Sequence, residues 1–281
     1  MPYKIQIVTL PTEGMKGSYM VNLLCDIWRR EGHDIAVGSV DRLEADIGIL
    51  HIDRTWIQEG SLPENLHSRP LLNSKALDIS KRHVSELIID REDEYAGPVI
   101  IKTDANHFGL RDKEGGRLST LLRLQHQRLA RRISWQMARQ LVPGEYPILE
   151  YKEQVPNWVW KREELIVEKF TPEIEGDLYV LRLWLFFGDR EYGVKMWSKK
   201  PVVKRADIVR YEYIDDVPDE IRRMRATLGF DFGKFDYVMV DGKPILIDAN
   251  KTPWITPSSN SPTPNMLNLA EGLHSYIRMH S

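Results

Sequence analysis

Residues 233–253, Gly-Lys-Phe-Asp-Tyr-Val-Met-Val-Asp-Gly-Lys-Pro-Ile-Leu-Ile-Asp-Ala-Asn-Lys-Thr-Pro, constrain this chain more than any other stretch. An apolar run over 235–240, then Asp241-Gly242, then a second run over 244–247 reads as a hairpin, because Asp-Gly accepts the positive φ angles of a tight two-residue turn. Antiparallel pairing brings Asp236, near the start of the first strand, to the same end as Asp248 and Asn250, which close the second. Asp248 and Asn250 are two residues apart and therefore share a face. Two carboxylates and an amide oxygen are all hard donors, a set that suits Mg²⁺ with water and phosphate oxygens in its remaining positions. The competing reading is a surface hairpin with solvated polar ends, since Asp and Asn are common near turns.

At 281 residues the chain has room for one large domain or for two or three small ones. A formal charge of −2 gives no overall basic field, so nucleic acid is not an expected partner. The single cysteine, Cys25, excludes an internal disulfide and an all-cysteine metal site and fits a reducing compartment. It falls within an amphipathic helical pattern, as a small core residue. No basic segment followed by a long apolar core opens the sequence, and even the most apolar run, 179–187, contains Arg182. A cytoplasmic protein without membrane spans is the expectation.

The opening reads as a small parallel α/β unit: a strand over 4–10, a helix from a Ser18 cap to about Arg30, and strands over 34–39 and 45–52. The loop after the first strand lacks the close glycine spacing of a dinucleotide fingerprint. His51, Asp53, Arg54 and Thr55 follow the third strand, where open parallel sheets present their ligand-binding ends; they read either as substrate contacts or as loop residues capping the next segment. A helix is expected over 73–89, capped by Asn73 or Ser74 and carrying Lys75, Lys81 and Arg82, and then a strand over 99–102 that ends in Lys102. Residues 103–116 read as a loop long enough to serve as a lid over a ligand. The arginine-rich pattern over 117–141 reads as a long helix with a solvated face, or with an anion at its first turn. Short strands over 147–151 and 158–160 precede a stronger one over 165–170. Strands over 179–187 and 191–197 flank a Gly188-Asp189 turn, a helix covers 218–229, and a last helix runs to residue 279.

In this order, an oxygen-rich metal motif, cations that end strands and a Glu-Lys-Phe strand edge resemble the ATP-grasp superfamily of carboxylate–amine ligases, of the type whose ATP-binding domain is like that of glutathione synthetase. The resemblance spans nearly the whole chain and implies an α/β fold with two lobes gripping a nucleotide behind a small Rossmann-like domain. The divisions it implies are 1–72 for that first domain, 73–167 for the first lobe and 168–281 for the second, which carries the metal site. It further implies Mg²⁺, with Mn²⁺ as a substitute, held by Asp236, a bridging Asp248 and Asn250; the family more often has Glu where Asp248 stands. Lys81 and Lys102 look like its phosphate-binding lysines. Main-chain groups around Glu168, Lys169 and Phe170 would meet the adenine, and Glu173 or Glu175 would reach the ribose. Arg182 resembles the basic residue near the reacting phosphate or acyl group, with Lys195 alongside, and Trp254 would face the substrate.

The activity implied is an ATP-dependent ligation of a carboxylate to an amine, as in amino acids or peptides, through an acylphosphate. A kinase acting on a small-molecule hydroxyl and a catalytically inactive nucleotide-binding partner protein are the alternatives on the same scaffold. A homodimer is in keeping with the class.

Overall fold

The computed structural model describes residues 2–10, 15, 18–62, 69–109, 112, 134–142, 144–254 and 262–278. The chain opens with β1 (Lys4–Thr9), α1 (Met20–Arg30), β2 (Asp34–Ser39), β3 (Ile47–Leu50) and the short β4 (Leu71–Leu72). These strands form a parallel sheet in the order β2-β1-β3-β4. In α1, Met20, Val21, Leu24, Cys25, Ile27 and Trp28 share one face and bury it, while Arg29 and Arg30 close the last turn, where cations favour the helix dipole. Burial pushes the Cys25 thiol up to about 12. Ser18 is not the cap: Tyr19 holds that position without capping the helix through its side chain, and the Met20 N–H is satisfied by the distant Pro253 carbonyl at 2.9 Å. A helix start can be capped by tertiary contact where local sequence offers nothing.

A second unit contains α2 (Lys81–Val84), β5 (Ile88–Ile89), β6 (Val99–Thr103), α3 (Trp135–Ala138), β7 (Ile148–Leu149), α4 (Asn157–Trp160) and β8 (Leu165–Lys169). Its antiparallel sheet has the order β5-β8-β6-β7. The expected helix over 73–89 does not form. Asn73 adopts a left-handed conformation with φ 62°, and its side chain accepts the N–H groups of Asp231 and Phe232 at 2.9 and 3.0 Å and donates to the Phe232 carbonyl at 2.8 Å. Three tertiary hydrogen bonds at a fully buried Asn override a local helical pattern. Only α2 is helical there, one turn with Ser80 as cap. The expected strand over 158–160 is instead α4, preceded by Pro156, whose fixed φ suits a helix start. Residues 117–133 of the expected arginine-rich helix lie outside the described residues; its end is the single turn α3, stopped by Arg139 at φ 47°.

The rest of the chain builds β9 (Glu173–Glu175), β10 (Leu178–Phe187), β11 (Arg190–Ser198), β12 (Ile208–Ile214), α5 (Asp219–Thr227), β13 (Phe232–Val240), β14 (Lys243–Asn250), α6 (Pro264–Glu271) and α7 (Leu273–Arg278). The sheet runs β12-β11-β10-β13-β14, with β9 also paired to β10. The hairpin turn is as expected: Asp241 and Gly242 have φ 51° and 78° between Val240 and its partner Lys243. β12 has no counterpart among the sequence expectations. The last helix is broken at Gly272, where any side chain would meet the Phe187 carbonyl at 1.9 Å; residue 279, its expected end, lies outside the described residues.

One face of this sheet packs with α1, α6 and α7 around Trp28, Phe187, Phe232 and Leu269. The other covers a core of Trp184, Phe186, Phe235, Tyr237 and Ile221. Among the described residues no helix is long and apolar enough to cross a membrane. Asn73→Ala removes three buried hydrogen bonds and disfavours the left-handed backbone; a loss of about 3 kcal/mol is expected, measured as a lower urea midpoint at unchanged slope.

Candidate active site

Between the second sheet and the third lies a cavity of about 360 Å³. Cations reach it from the second unit, Lys81 on α2 and Lys102 on β6, and Asp236, Asp248 and Asn250 reach it from the third sheet, with the strand end Glu168, Lys169 and Phe170 between them. Ile100, Leu181 and Ile247 supply apolar lining.

The acids are placed by the hairpin. Asp236 and Asp248 pair directly across β13 and β14, next to a bulge between Asp236 and Tyr237, and Lys234 pairs with Asn250. Directly opposed residues point to one side of a sheet, so all four side chains belong to one face. Lys234 Nζ stands 2.8 Å from Asp236 Oδ1. Burial, and after it the charge of Asp248, raise the Asp236 carboxyl, with Lys234 working against that shift, and it is held above the usual carboxylate range. For Lys234 the balance goes the other way: burial lowers it, but Asp236 more than offsets this, and the ammonium is held above its ordinary value. Among the described residues no three His, Cys, Asp or Glu side chains gather as a metal site. The donor set here is two aspartates and one asparagine, all hard oxygens, which fits Mg²⁺. Asn250 Oδ1 also accepts the Thr252 N–H at 2.8 Å, which fixes the amide.

Lys81 is buried and tied twice, donating to Asn106 Oδ1 at 3.0 Å and to Asp248 Oδ1 at 3.3 Å. Burial lowers its pKa, Asp248 more than offsets that, and the ammonium is held above the ordinary lysine range. Asn106 opens a short 3-10 turn, Asn106–Gly109, inside the expected loop over 103–116. Its N–H goes to Thr55 Oγ1 at 2.9 Å and its amide donates to the Ala249 carbonyl at 3.2 Å. Phe108 in this turn stacks on Tyr146 at 5.2 Å, and both line the cavity. Residues 110, 111 and 113–116 of that loop lie outside the described residues.

Lys102 stands 2.6 Å from Glu168 Oε2, with 12% of the lysine side chain exposed and none of the glutamate's. Lys169 rests its ammonium 5.3 Å from the Tyr95 ring. Of the main-chain groups expected to meet a base, the N–H of Lys169 is taken by Leu87 and that of Phe170 by Pro98, at 2.9 and 2.8 Å, so neither is open to an adenine.

Four expected site residues do not join the cavity. Arg182 pairs with Tyr237 on β13 and with Lys195 on β11, whereas Leu183 is the residue opposite Asp236. Strand alternation therefore puts Arg182 and Lys195 on the other face of the sheet from the acids. Arg182 is gripped there by Glu173, with Nη2 to Oε1 at 2.7 Å and Nε to Oε2 at 3.0 Å, and Glu173 also accepts the Met239 N–H at 2.8 Å. Lys195 and Trp197 both donate to Glu175. These four residues lock β9 onto β10 and β11, and their polar groups are spent on one another.

The residues after β3 also act as anchors. Asp53 accepts from Tyr19 at 2.6 Å and from Thr252 at 3.0 Å, while Thr55 donates its hydroxyl to Asp112 at 2.7 Å. Trp254 is 44% exposed and lies against the Tyr19 ring at 5.1 Å, apart from the cavity. A larger cleft of about 1140 Å³, lined by Trp56, Arg82, Asp104 and Trp160 among others, holds none of the expected cofactor or metal residues.

Lys234 escaped the sequence reading, although its spacing of two from Asp236 on a strand was the signal that placed it on the same face.

No protein-family model and no curated protein matches the sequence. Solved structures do match the fold. The ATP-grasp ligase PsnB, complexed with a minimal precursor, superposes with a TM-score of 0.52 at 11% identity over 97% of this chain and 98% of its own. The macrocyclase MdnC from Microcystis aeruginosa, bound with the precursor peptide MdnA, gives 0.52 at 12% identity over 99% and 100%. The chain has the ATP-grasp fold. The cavity that gathers Lys81, Lys102, Asp236 and Asp248 lies between the two sheets that follow the parallel one.

Two outcomes follow from the burial of charge and of imidazole. Lys102→Met strands the Glu168 carboxylate and is expected to cost roughly 3–5 kcal/mol, most of it recovered in Lys102→Met/Glu168→Met; denaturant midpoints of the three proteins check this. His51 is fully buried with both ring nitrogens unpartnered among the described residues, and burial lowers its pKa to about 4. Because the unfolded chain protonates His51 near 6.5 and the folded one near 4, its contribution is present above 6.5 and lost as pH falls between the two. Unfolding midpoints measured from pH 7 to pH 4 should fall by an amount worth about 3 kcal/mol, and His51→Phe should flatten that part of the profile.

Proposed function

We propose that the protein is an ATP- and Mg²⁺-dependent ligase joining a carboxylate to an amine through an acylphosphate. The observation that carries this reading is the facing of two lysines by an in-register pair of aspartates across one cavity, on a scaffold with the ATP-grasp fold. We assign residues 1–72 to a first domain and 73–167 and 168–281 to the two lobes, although β8 (Leu165–Lys169), which this last boundary divides, pairs along its whole length within the second sheet. Lys81 and Lys102 would neutralise nucleotide phosphates, and Ile100, Leu181 and Ile247 would receive the base. Asp236, Asp248 and Asn250 would hold Mg²⁺, which when bound supplies positive charge to the transferring phosphoryl group.

In the first step a carboxylate oxygen of the substrate forms a bond to the γ-phosphorus while the bond to the β,γ-bridging oxygen breaks and ADP leaves. In the second an amine attacks the acyl carbon, the C–O bond to phosphate breaks, and the amine loses a proton. Lys234, paired with Asp236 on the acid face, would hold that carboxylate in position. Phe108 and Tyr146, stacked at the cavity wall, would keep water from the acylphosphate.

The test uses ADP release with amino acids and peptides as substrates, and hydroxylamine as the trapping amine. The reading requires a hydroxamate to form alongside ADP; phosphate transferred to a hydroxyl would mean a kinase, and no turnover with any carboxylate would count against catalysis. Asp248→Asn is expected to cut ADP release roughly 100-fold or more while leaving the fold intact. Mg²⁺ and ATP together, at about 100 times the dissociation constant, should stabilise the protein by about 2.7 kcal/mol, read as a shift of a few degrees in Tm that neither produces alone.

A further inference from the structure

A chain of three polar side chains, Asp53, Thr252 and Asn250, runs from the parallel sheet to the metal-type hairpin. The segment after β14 is laid across the start of α1: Tyr19 and Trp254 form an antiparallel bridge, and the Met20 N–H donates to the Pro253 carbonyl. That docking buries Thr252 against Asp53, which follows β3. The Thr252 hydroxyl lies 3.0 Å from Asp53 Oδ1 and 3.4 Å from Asn250 Oδ1. The other Asp53 oxygen accepts the Tyr19 phenol at 2.6 Å.

A hydroxyl carries one proton, so Thr252 can donate to only one of these two oxygens. A carboxylate accepts and never donates, and it draws a donor more strongly than an amide oxygen does. Distance and charge therefore agree that the proton goes to Asp53. Asn250 Oδ1 has two acceptor positions, and the Thr252 N–H takes one of them at 2.8 Å. The other stays open to a cation only while the hydroxyl points elsewhere.

We propose that Asp53 is a positioning residue for the metal site: by holding the Thr252 proton, it keeps the second acceptor position of Asn250 Oδ1 open to Mg²⁺. The inference rests on the assignment of Asn250 as a metal donor under the proposed function. Asp53 stands outside the cavity lining and acts through Thr252, as outer-shell groups do when they orient the ligands of a metal. The unit that contains the parallel sheet thereby sets the affinity of a site whose donors all stand on β13 and β14. The Tyr19 phenol, on the second Asp53 oxygen, fixes the carboxylate so that Oδ1 faces Thr252.

Mn²⁺ uptake by the full chain with a non-hydrolysable ATP analogue tests this. It is read as loss of the free Mn²⁺ electron paramagnetic resonance signal beyond the loss caused by the analogue alone, and it needs no turnover. In D53N one side-chain oxygen still accepts the Tyr19 phenol while an N–H turns to Thr252, so the hydroxyl donates to Asn250 Oδ1. Mn²⁺ affinity should fall roughly tenfold. D53N/T252V has no hydroxyl to occupy Asn250 and should recover most of that loss. Lost charge at residue 53 or a disturbed fold would not be repaired by removing a second side chain. A double variant as weak as D53N therefore overturns the proposal, as does D53N that binds like the wild type. A wild type that takes up no Mn²⁺ with the analogue removes the metal assignment itself, and the relay with it. Far-UV circular dichroism checks that each variant is folded. Should D53N not fold, D53A and D53A/T252V make the same comparison; if neither pair folds, Asp53 serves the fold and the positioning role is overturned.

Discussion

The Lys81 ammonium is the constraint on which the site depends. A buried cation is tolerated only when it is paired and hydrogen-bonded, and Lys81 meets that condition through groups from two distant parts of the chain: Asn106 after β6 and Asp248 on β14. Each of these is fixed in turn. The Lys81 N–H donates to the Asp104 carbonyl, the Arg82 N–H to the Asp104 carboxylate, and Asn106 reaches both Thr55 and Ala249. The result is a polar seam joining the parallel sheet, the loop after β6 and the metal-type hairpin. Asp53 extends it, receiving Tyr19 from the first unit and Thr252 from the segment after the hairpin.

Strand parity decides what faces the cavity. Lys234, Asp236, Asp248 and Asn250 lie on one face because they occupy opposed positions across β13 and β14. Arg182, one residue out of step with the Leu183 that opposes Asp236, is carried to the other face and finds Glu173. A single position along β10 thus separates a residue that could meet a phosphate from one that pins an adjacent strand.

This also explains what could be read from the sequence. The hairpin's turn and pairing were legible because what makes them is local: apolar runs, an Asp-Gly turn and a spacing of two; its strands run further than the apolar runs, from residue 232 and to residue 250, and its bulge had no local mark. β2 and the β10–β11 pair were legible for the same reason. The segment 73–89 was not, since Asn73 takes its conformation from Asp231 and Phe232, more than 150 residues away. Arg182 and Lys195 were misplaced because their side of the sheet depends on register across three strands, which no single segment encodes. β12 alternates as a strand should, but its outer residues are exposed, and the basic stretch before it hid the period.

The charges around the cavity close on themselves: Lys81 with Asp248, Lys102 with Glu168, Lys234 with Asp236. Cations already matched by carboxylates give little net attraction to a free polyphosphate, whose binding would set phosphate oxygens against Glu168 and the aspartates. Under the proposed function such a site would favour a nucleotide that arrives with its own divalent cation, because the aspartates would then meet positive charge and the lysines would be available to phosphate oxygens. Three ion pairs, each at least partly withdrawn from solvent, form an arrangement that hydrophobic side chains would replace at lower desolvation cost if stability alone were at stake.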